Sequence, residues 1–418
     1  MINSVHLENF KNFRDATLNL GPFTVIVGTN ASGKSNLRDA FRFLNGVGRD
    51  YSLADIVGEK FVDGVLQWKG IRGGSREIAT FGAKRFAIEV VSDSPFDSKD
   101  QFKFRAEVAV TFGSRPLRIV SEIFEIGSDL VYRARAPFDP TIHGYSLSLD
   151  VEGFEVDVPT TNNKGAFIAS DTPALSQVSE LMIIGDFPDF CSSFYRQSLR
   201  SMRFLDLVPE TMKNPSIPGQ PLGDRGENLS SALLAICENE SHKQAMMEWV
   251  RQLTPVDVVD FEFPADQAGR VLVALKEANG NVTSAYSASD GTLRFLALIA
   301  ALMSPDAAKF YFLEEIDNGI HPTRLKLLIE LIEQQTKKGK IQVVVTTHSP
   351  QFLTLLSPES REHAHLVYRH EHEPDAQLKR IMDIPTARDV LERHTLGRLL
   401  ETGWFENTMD FATEAAGD

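Results

Sequence analysis

The stretch Gly28-Thr29-Asn30-Ala31-Ser32-Gly33-Lys34-Ser35 constrains the fold more than any other part of the chain. It satisfies the pattern G-x-x-x-x-G-K-[ST], whose glycines let the backbone curl until successive N–H groups point at phosphate oxygens. Its flanks agree with that reading. Phe23–Val27 is apolar and β-rich, and Asn36–Leu44 carries Leu37, Ala40, Phe41 and Leu44 on one helical stripe. A strand that turns directly into a helix sets the helix's positive end against the same phosphates. Lys34 is then expected at the β- and γ-phosphates of a bound nucleotide, Ser35 at magnesium, and Asn36 just beyond. A glycine-rich surface turn would leave the strand and helix on either side unexplained.

Three later segments carry chemistry. Phe310-Tyr311-Phe312-Leu313-Glu314-Glu315 is an apolar strand that ends in two carboxylates. Beside a phosphate loop, one such acid serves the metal and the other the attacking water. Glu314 is expected at magnesium, through water, and Glu315 as general base; without the loop the pair would read as a solvated acidic turn. Gln342–Thr346 is a second buried-looking strand, running into Thr347-His348-Ser349-Pro350. His348 can donate to a γ-phosphate or hold the attacking water. Ser287-Ala288-Ser289-Asp290-Gly291-Thr292 precedes the helical run Leu293–Met303. Alone it reads as a helix cap, with Ser289 or Asp290 satisfying free N–H groups. It also reads as a second anion site, where a hydroxyl, a glycine N–H and a helix N-terminus face one way.

The remaining pattern sets the architecture. Val5–Glu8 and Ala16–Leu20 read as strands. Phe86–Val91, Phe102–Phe112, Leu117–Ile126, Leu130–Ala134, Tyr145–Val151 and Phe154–Val158 suggest an inserted antiparallel β subdomain. Pro173–Phe204 reads as helical, Pro209–Gly226 as a linker, and Leu229–Leu253 as two helices. Val256–Phe263, Val271–Glu277 and Val282–Tyr286 read as strands. From Thr292 helix and strand alternate, through Arg324–Lys337, as in a mostly parallel sheet flanked by helices. The expected fold is α/β, with a mixed sheet flanked by helices. Its core is expected over 1–85 and 256–384, the β-rich and helical insertion over 86–255, and a C-terminal helical extension over 385–418.

Composition narrows the function. Apolar residues at 42% and charged residues at 24% suit a chain that fills a core. No stretch near 20 residues is free of charge, and Met1–Lys11 lacks the basic start and apolar run of a signal peptide. A cytoplasmic protein without membrane contact is expected. Cys191 and Cys237 cannot form a disulfide framework and are expected as small apolar residues. With 43 basic against 57 acidic residues the net charge is −14, which argues against non-specific coating of nucleic acid. A local basic groove stays open: Arg196, Arg200 and Arg203 share a helical spacing, although an ion-paired face is the simpler reading. His363, His365, His370 and His372, with Glu371, Glu373 and Asp375, permit a metal site. Ala364–Tyr368 and Leu378–Ile384 read more simply as hairpin arms with a charged tip. Arg388–Phe411 mixes helical spacing with exposed-looking Trp404 and Phe405, which either dock on the core or offer a partner surface.

Taken in order, these segments resemble the ABC-type ATPase heads of the RecF, structural-maintenance-of-chromosomes and OLD group. Glu8-Asn9-Phe10-Lys11-Asn12-Phe13 looks like that group's opening strand and turn, which adds Lys11 as a candidate. Val25–Ser35 looks like Walker A, Ser289–Thr292 like the signature loop, Phe312–Pro322 like Walker B with the D-loop, and Thr347–Ser349 like the His switch. The likeness covers roughly residues 1–50 and 280–356. It implies ATP and Mg2+ as ligands, ATP hydrolysis, and a homodimer whose Ser289, Gly291 and Thr292 cap the γ-phosphate held by the other subunit. Ala31 stands for the commoner glycine, Ala288 for leucine, Glu314 for aspartate, and His321 where many members have the D-loop aspartate. Gln67 is a candidate Q-loop glutamine, although a polar residue on an edge strand is the simpler reading. No heptad segment interrupts the head, and the stretch beyond Leu356 is short for the nuclease domain of OLD proteins. Stand-alone ATPases of this branch are often found in bacterial antiviral systems with a separately encoded nuclease or toxin. The resemblance therefore implies a nucleotide-driven switch that works with such an effector. A RecF-like ATPase clamping DNA and a scaffold holding ATP unhydrolysed are the rival expectations.

Overall fold

The computed structural model describes residues 1–96, 100–110, 117–136, 146–150, 166–181, 186–253, 257–305, 307–317, 320–370, 373–405 and 407–409. In chain order its strands are β1 (Ile2–Phe10), β2 (Phe13–Asn19), β3 (Phe23–Val27), β4 (Lys60–Val62), β5 (Val65–Trp68), β6 (Arg85–Asp93) and β7 (Gln101–Ala109). Then come β8 (Arg118–Ile126), β9 (Asp129–Arg135), β10 (Ser146–Asp150), β11 (Ala166–Ala169), β12 (Arg203–Leu205), β13 (Val258–Glu262) and β14 (Ala274–Glu277). The last are β15 (Val282–Ser284), β16 (Phe310–Leu313), β17 (Gln342–Thr347), β18 (Ala364–Tyr368) and β19 (Gln377–Arg380). The longer helices are α1 (Lys34–Gly48), α2 (Ala174–Leu181), α3 (Asp186–Arg200), α4 (Leu229–Cys237), α5 (Glu240–Leu253), α6 (Asp290–Met303) and α7 (Pro322–Lys337).

The chain divides into two compact units, the first made of Met1–Gly21, Gly28–Met202 and His365–Arg380. It holds an eight-stranded sheet in the order β11-β10-β9-β8-β7-β6-β1-β2. Phe102, Phe104, Ala106 and Val108 are buried at every second position of β7, the period of a sheet with one covered face. Tyr195 of α3 lies on that core, with ring centroids 5.0 Å from Phe124, 5.6 Å from Phe102 and 5.8 Å from Phe104. β1 pairs antiparallel with β6, Val5 opposite Val90, so the N-terminal strands and the strands beyond residue 85 share one sheet. β11 is a strand that the sequence pattern does not reveal, while Phe154–Val158 lies outside the described residues.

Glu122 on β8 is fully buried in this unit. Its carboxylate accepts from the Tyr132 hydroxyl at 2.8 Å and from the Ala174 and Leu175 N–H groups, at the start of α2, at 3.0 and 2.6 Å. Burial pushes the carboxyl up to about 7, against the downward pull of those donors. α1 is tied to α3: Asn45 Nδ2 donates to the Leu199 and Arg200 carbonyls at 2.8 and 3.0 Å, and Arg196 pairs with Asp50 at 2.9 Å.

The second unit comprises Pro22–Val27, Arg203–Ala364 and Ile381–Asp418. Its parallel strands run β12-β16-β17-β3. Every residue of β3, β16 and β17 is buried, the continuous burial expected of a parallel sheet covered on both faces. β12 corrects the helical reading of Pro173–Phe204: α3 stops at Arg200, and Arg203–Leu205 pair with Tyr311–Leu313. Arg203 therefore leaves the supposed arginine stripe and lies 3.7 Å from Asp224. β13, β14 and β15 form a separate antiparallel sheet. Phe405 is fully buried, so the C-terminal segment docks there instead of exposing that ring.

Candidate functional site

Loop 28–33 curls between the end of β3 and the first turn of α1. A Cβ on Gly28 would lie 2.1 Å from the Val367 carbonyl oxygen and 2.8 Å from Ser32 Oγ, so only hydrogen fits there. Gly33 has φ +125°, and a Cβ on it would meet Asn12 Nδ2 at 2.7 Å. Ala31 has φ 63°, the left-handed region, which is the physical reason glycine is commoner at this position. Lys34 is buried and its Nζ donates to the Gly28 and Thr29 carbonyls at 2.6 and 2.8 Å. Thr29, Asn30 and Ala31 are exposed, and Ser35 and Asn36 are half-buried. Ser32 Oγ is buried without a hydrogen-bond partner. A curl that admits no side chain at either glycine, with one ammonium and a helix N-terminus, suits a polyphosphate. The Ser35 hydroxyl in this unit is an oxygen donor, the class that magnesium takes.

The turn between β1 and β2 braces this loop. Asn9 and Lys11 both adopt left-handed backbone, at φ 51° and 56°. Lys11 donates to the Arg72 carbonyl and lies 3.6 Å from the Asp39 carboxylate of α1, which Arg72 also approaches at 3.3 Å. The Lys11 and Asp39 side chains are only 5% and 3% exposed. Burial lowers the Lys11 pKa, with Asp39 opposing it, and raises that of Asp39, with Arg72 and Lys11 opposing. Lys11 thereby fastens the turn to α1. Asn12, which the motif comparison passes over, donates from Nδ2 to the Ser32 carbonyl at 3.2 Å and accepts at Oδ1 from Asn36 Nδ2 at 2.6 Å. Gln67 is exposed on β5, in the two-stranded β4–β5 hairpin.

In the second unit, Leu313 of β16 stands opposite Val345 of β17, and Thr347 of β17 opposite Val27 of β3, so these parallel strands end at one edge. Glu314 and Glu315 follow β16, and His348, exposed, follows β17. Glu315 is exposed with φ 47°, and its N–H donates to Thr346 Oγ1 at 3.1 Å. A left-handed residue with a Cβ costs roughly 1–2 kcal/mol, a strain that clusters at functional positions.

Ser289 is the N-cap of α6: its Oγ accepts the Thr292 N–H at 3.2 Å, as the capping alternative expects. Ser289 is exposed, Gly291 half-buried and Thr292 buried. His321 caps α7 in the same way, Nδ1 accepting the Thr323 N–H at 3.4 Å. β18 and β19 form the expected hairpin, but its second arm ends at Arg380 and a 3-10 turn takes Ile381–Asp383. Among the described residues no group of three or more His, Cys, Asp and Glu is placed to hold a metal; His372 and Glu371 lie outside them. No described helix is long and apolar enough to cross a membrane.

Comparison with known proteins bears on the fold and the activity. Residues 1–159 match the family described as AAA ATPase domain. Residues 192–354 match the family described as AAA domain, putative AbiEii toxin, Type IV TA system. A Helicobacter pylori protein named ATP/GTP phosphatase is 23% identical over 368 residues, which span 87% of this chain and 89% of that protein. The solved structure of an Smc head bound to the C-winged helix domain of ScpA matches with TM-score 0.52 and 14% identity, covering 90% of this chain and 97% of that one. The chain is thus an ATPase with the ABC-type head fold, and its residues 1–159 and 192–354 are similar to AAA-family ATPase domains.

Proposed function

We propose that this ATPase is a nucleotide-driven dimeric switch, the regulatory subunit of a bacterial antiviral defence system that works with a separate nuclease or toxin effector. The match of residues 192–354 to a family described as a putative toxin supports the defence role. The start of α6 carries the switch: Ser289 and Asp290 are exposed while the helix behind them is almost wholly buried. A helix so held presents its positive end and the N-terminal N–H groups ahead of Thr292 outward, to the phosphate of a second copy.

In each site the backbone N–H groups of 28–33 and the Lys34 ammonium bind the phosphates. Ser35 would hold magnesium and Glu314 would hold it through water; the ion would supply charge neutralisation at the phosphates. Glu315 accepts the proton of the attacking water, and His348 donates to the γ-phosphate. Ser289, Gly291 and Thr292 of the second copy close the site. Loss of the γ-phosphate removes the anion they face, and the dimer reopens.

The test mixes two variants. Gly291→Arg should bind ATP on its own loop yet fail to hydrolyse it, and Lys34→Ala should not bind. In a mixed dimer one site takes both lesions and the other neither, so partial ATPase activity returns on mixing. Light scattering of Glu315→Gln with ATP supplies the second reading. If that variant stays monomeric while binding ATP, the dimeric switch is wrong. Phage challenge of cells carrying the gene and its neighbours, with Lys34→Ala as control, tests the defence role; equal plaque counts would remove it.

A further inference from the structure

The Asn12 side chain reaches the phosphate loop from outside it. Its amide orientation is set by its partners, since Nδ2 donates to the Ser32 carbonyl at 3.2 Å and Oδ1 accepts from Asn36 Nδ2, in the first turn of α1, at 2.6 Å. Its backbone carbonyl accepts the Ala376 N–H at 2.7 Å, which pins the turn to the hairpin. The fit is tight: a Cβ on Gly33 would lie 2.7 Å from Asn12 Nδ2 and 3.3 Å from Ala376 Cβ.

We infer that Asn12 is a positioning residue for ATP, holding the Ser32 carbonyl so that the Gly33 N–H is aimed at phosphate. In a trans peptide the C=O of one residue and the N–H of the next point opposite ways. A Ser32 carbonyl held toward Asn12 therefore turns the Gly33 N–H away from Asn12, to the side that phosphate takes. The brace is needed because Gly33, at φ +125°, gives the Ser32–Gly33 peptide little resistance to flipping. Asn36 ties the brace to α1, so loop and helix present their donors as one unit. This rests on reading residues 28–35 as the phosphate loop.

The test compares Asn12→Asp, Asn12→Ala, Asn36→Ala and the double alanine variant with Lys34→Ala, by titration with fluorescently labelled ATP and magnesium. Asn12→Asp keeps the size and the acceptor for Asn36, but sets a carboxylate oxygen against the Ser32 carbonyl. Its Kd for ATP should rise at least about tenfold, with slower turnover at saturating ATP and an unchanged melting temperature. Asn12→Ala and Asn36→Ala should each raise Kd about three- to tenfold, and the double variant should be no worse than Asn12→Ala, because both act through one amide. A merely structural role would lower the melting temperature and leave the Kd of the folded protein alone. Normal ATP binding by the Asn12 variants, with Lys34→Ala defective, overturns the inference, and so does an additive double variant. Normal binding by Lys34→Ala as well would instead sink the phosphate-loop reading. Should Asn12→Asp fail to fold, the alanine variants decide by the same criteria.

Discussion

Adding one methyl group at Gly28 probes how far the shape of the loop governs ATP binding. The new Cβ would lie 2.1 Å from the Val367 carbonyl oxygen and 2.8 Å from Ser32 Oγ. An ordinary carbon–oxygen contact needs roughly 3.3 Å, so methyl and carbonyl must part by roughly 1.2 Å. Val367 yields little, because β18 pairs with β19 through Val367 and Leu378 and all of β18 is buried. The loop must therefore move by about 1 Å. Overpacking of this kind costs about 1–3 kcal/mol of stability. Displacing phosphate donors by about 1 Å costs more in function, on the order of 100-fold. Gly28→Ala should thus melt a few degrees lower yet bind ATP about 100-fold more weakly, by calorimetric titration beside thermal melts. Ser32→Ala removes the side-chain neighbour and leaves the carbonyl, so adding it to Gly28→Ala should restore nothing. An ATP Kd for Gly28→Ala within about twofold of wild type would refute the reasoning, and rescue by Ser32→Ala would put the clash at the wrong partner.

Glu315→Gln should bind ATP and hydrolyse it at least about 100-fold more slowly, since an amide cannot accept the water's proton. Wild-type turnover would pass the base role to Glu314 or His348. Glu122 gives a pH dependence: its carboxyl rises from 4.5 to about 7 on folding, so the folded state keeps its proton longer than the unfolded chain. The stabilisation is full below pH 4.5 and fades up to about pH 7, by about 3 kcal/mol in all. Urea midpoints should fall across that window for wild type and flatten in Glu122→Gln; an equal slope in both would rule Glu122 out. Phe405→Ala should cost about 3–5 kcal/mol by urea unfolding, and a loss below about 1 kcal/mol would show that the C-terminal segment is not docked.

The chain alone reveals features whose causes are local. Phe23–Val27, Phe310–Leu313 and Ala364–Tyr368 are strands with the boundaries that their apolar runs predict. The helix after the phosphate loop follows from its stripe of Leu37, Ala40, Phe41 and Leu44, all buried. The glycines at 28 and 33 are legible for the same reason, because a curled backbone demands them wherever the curl occurs. β11 and β12 escape such reading. Three or four residues with a partner strand alongside form a ladder, and the same residues without one do not. Of the two readings of Phe405, docking and a partner surface, the chain alone could not choose, since its burial depends on what folds over it.

Asn12 marks the boundary within the candidate site. Its place in the opening turn can be read from the sequence, and its bonds to the Ser32 carbonyl and to Asn36 cannot. The same holds for Val367 against Gly28, groups far apart in the chain that meet when the hairpin folds onto the loop. The sequence by itself therefore determined that residues 28–35 curl, where the long strands and helices run, and which side chains have the chemistry for phosphate, metal and water. Only the tertiary structure decided which distant groups crowd the two glycines, which sheet β1 and β2 join, and which amide holds the loop's peptide. Backbone propensity and hydrophobic period act between near neighbours, whereas steric exclusion and hydrogen-bond direction depend on where remote segments come to rest.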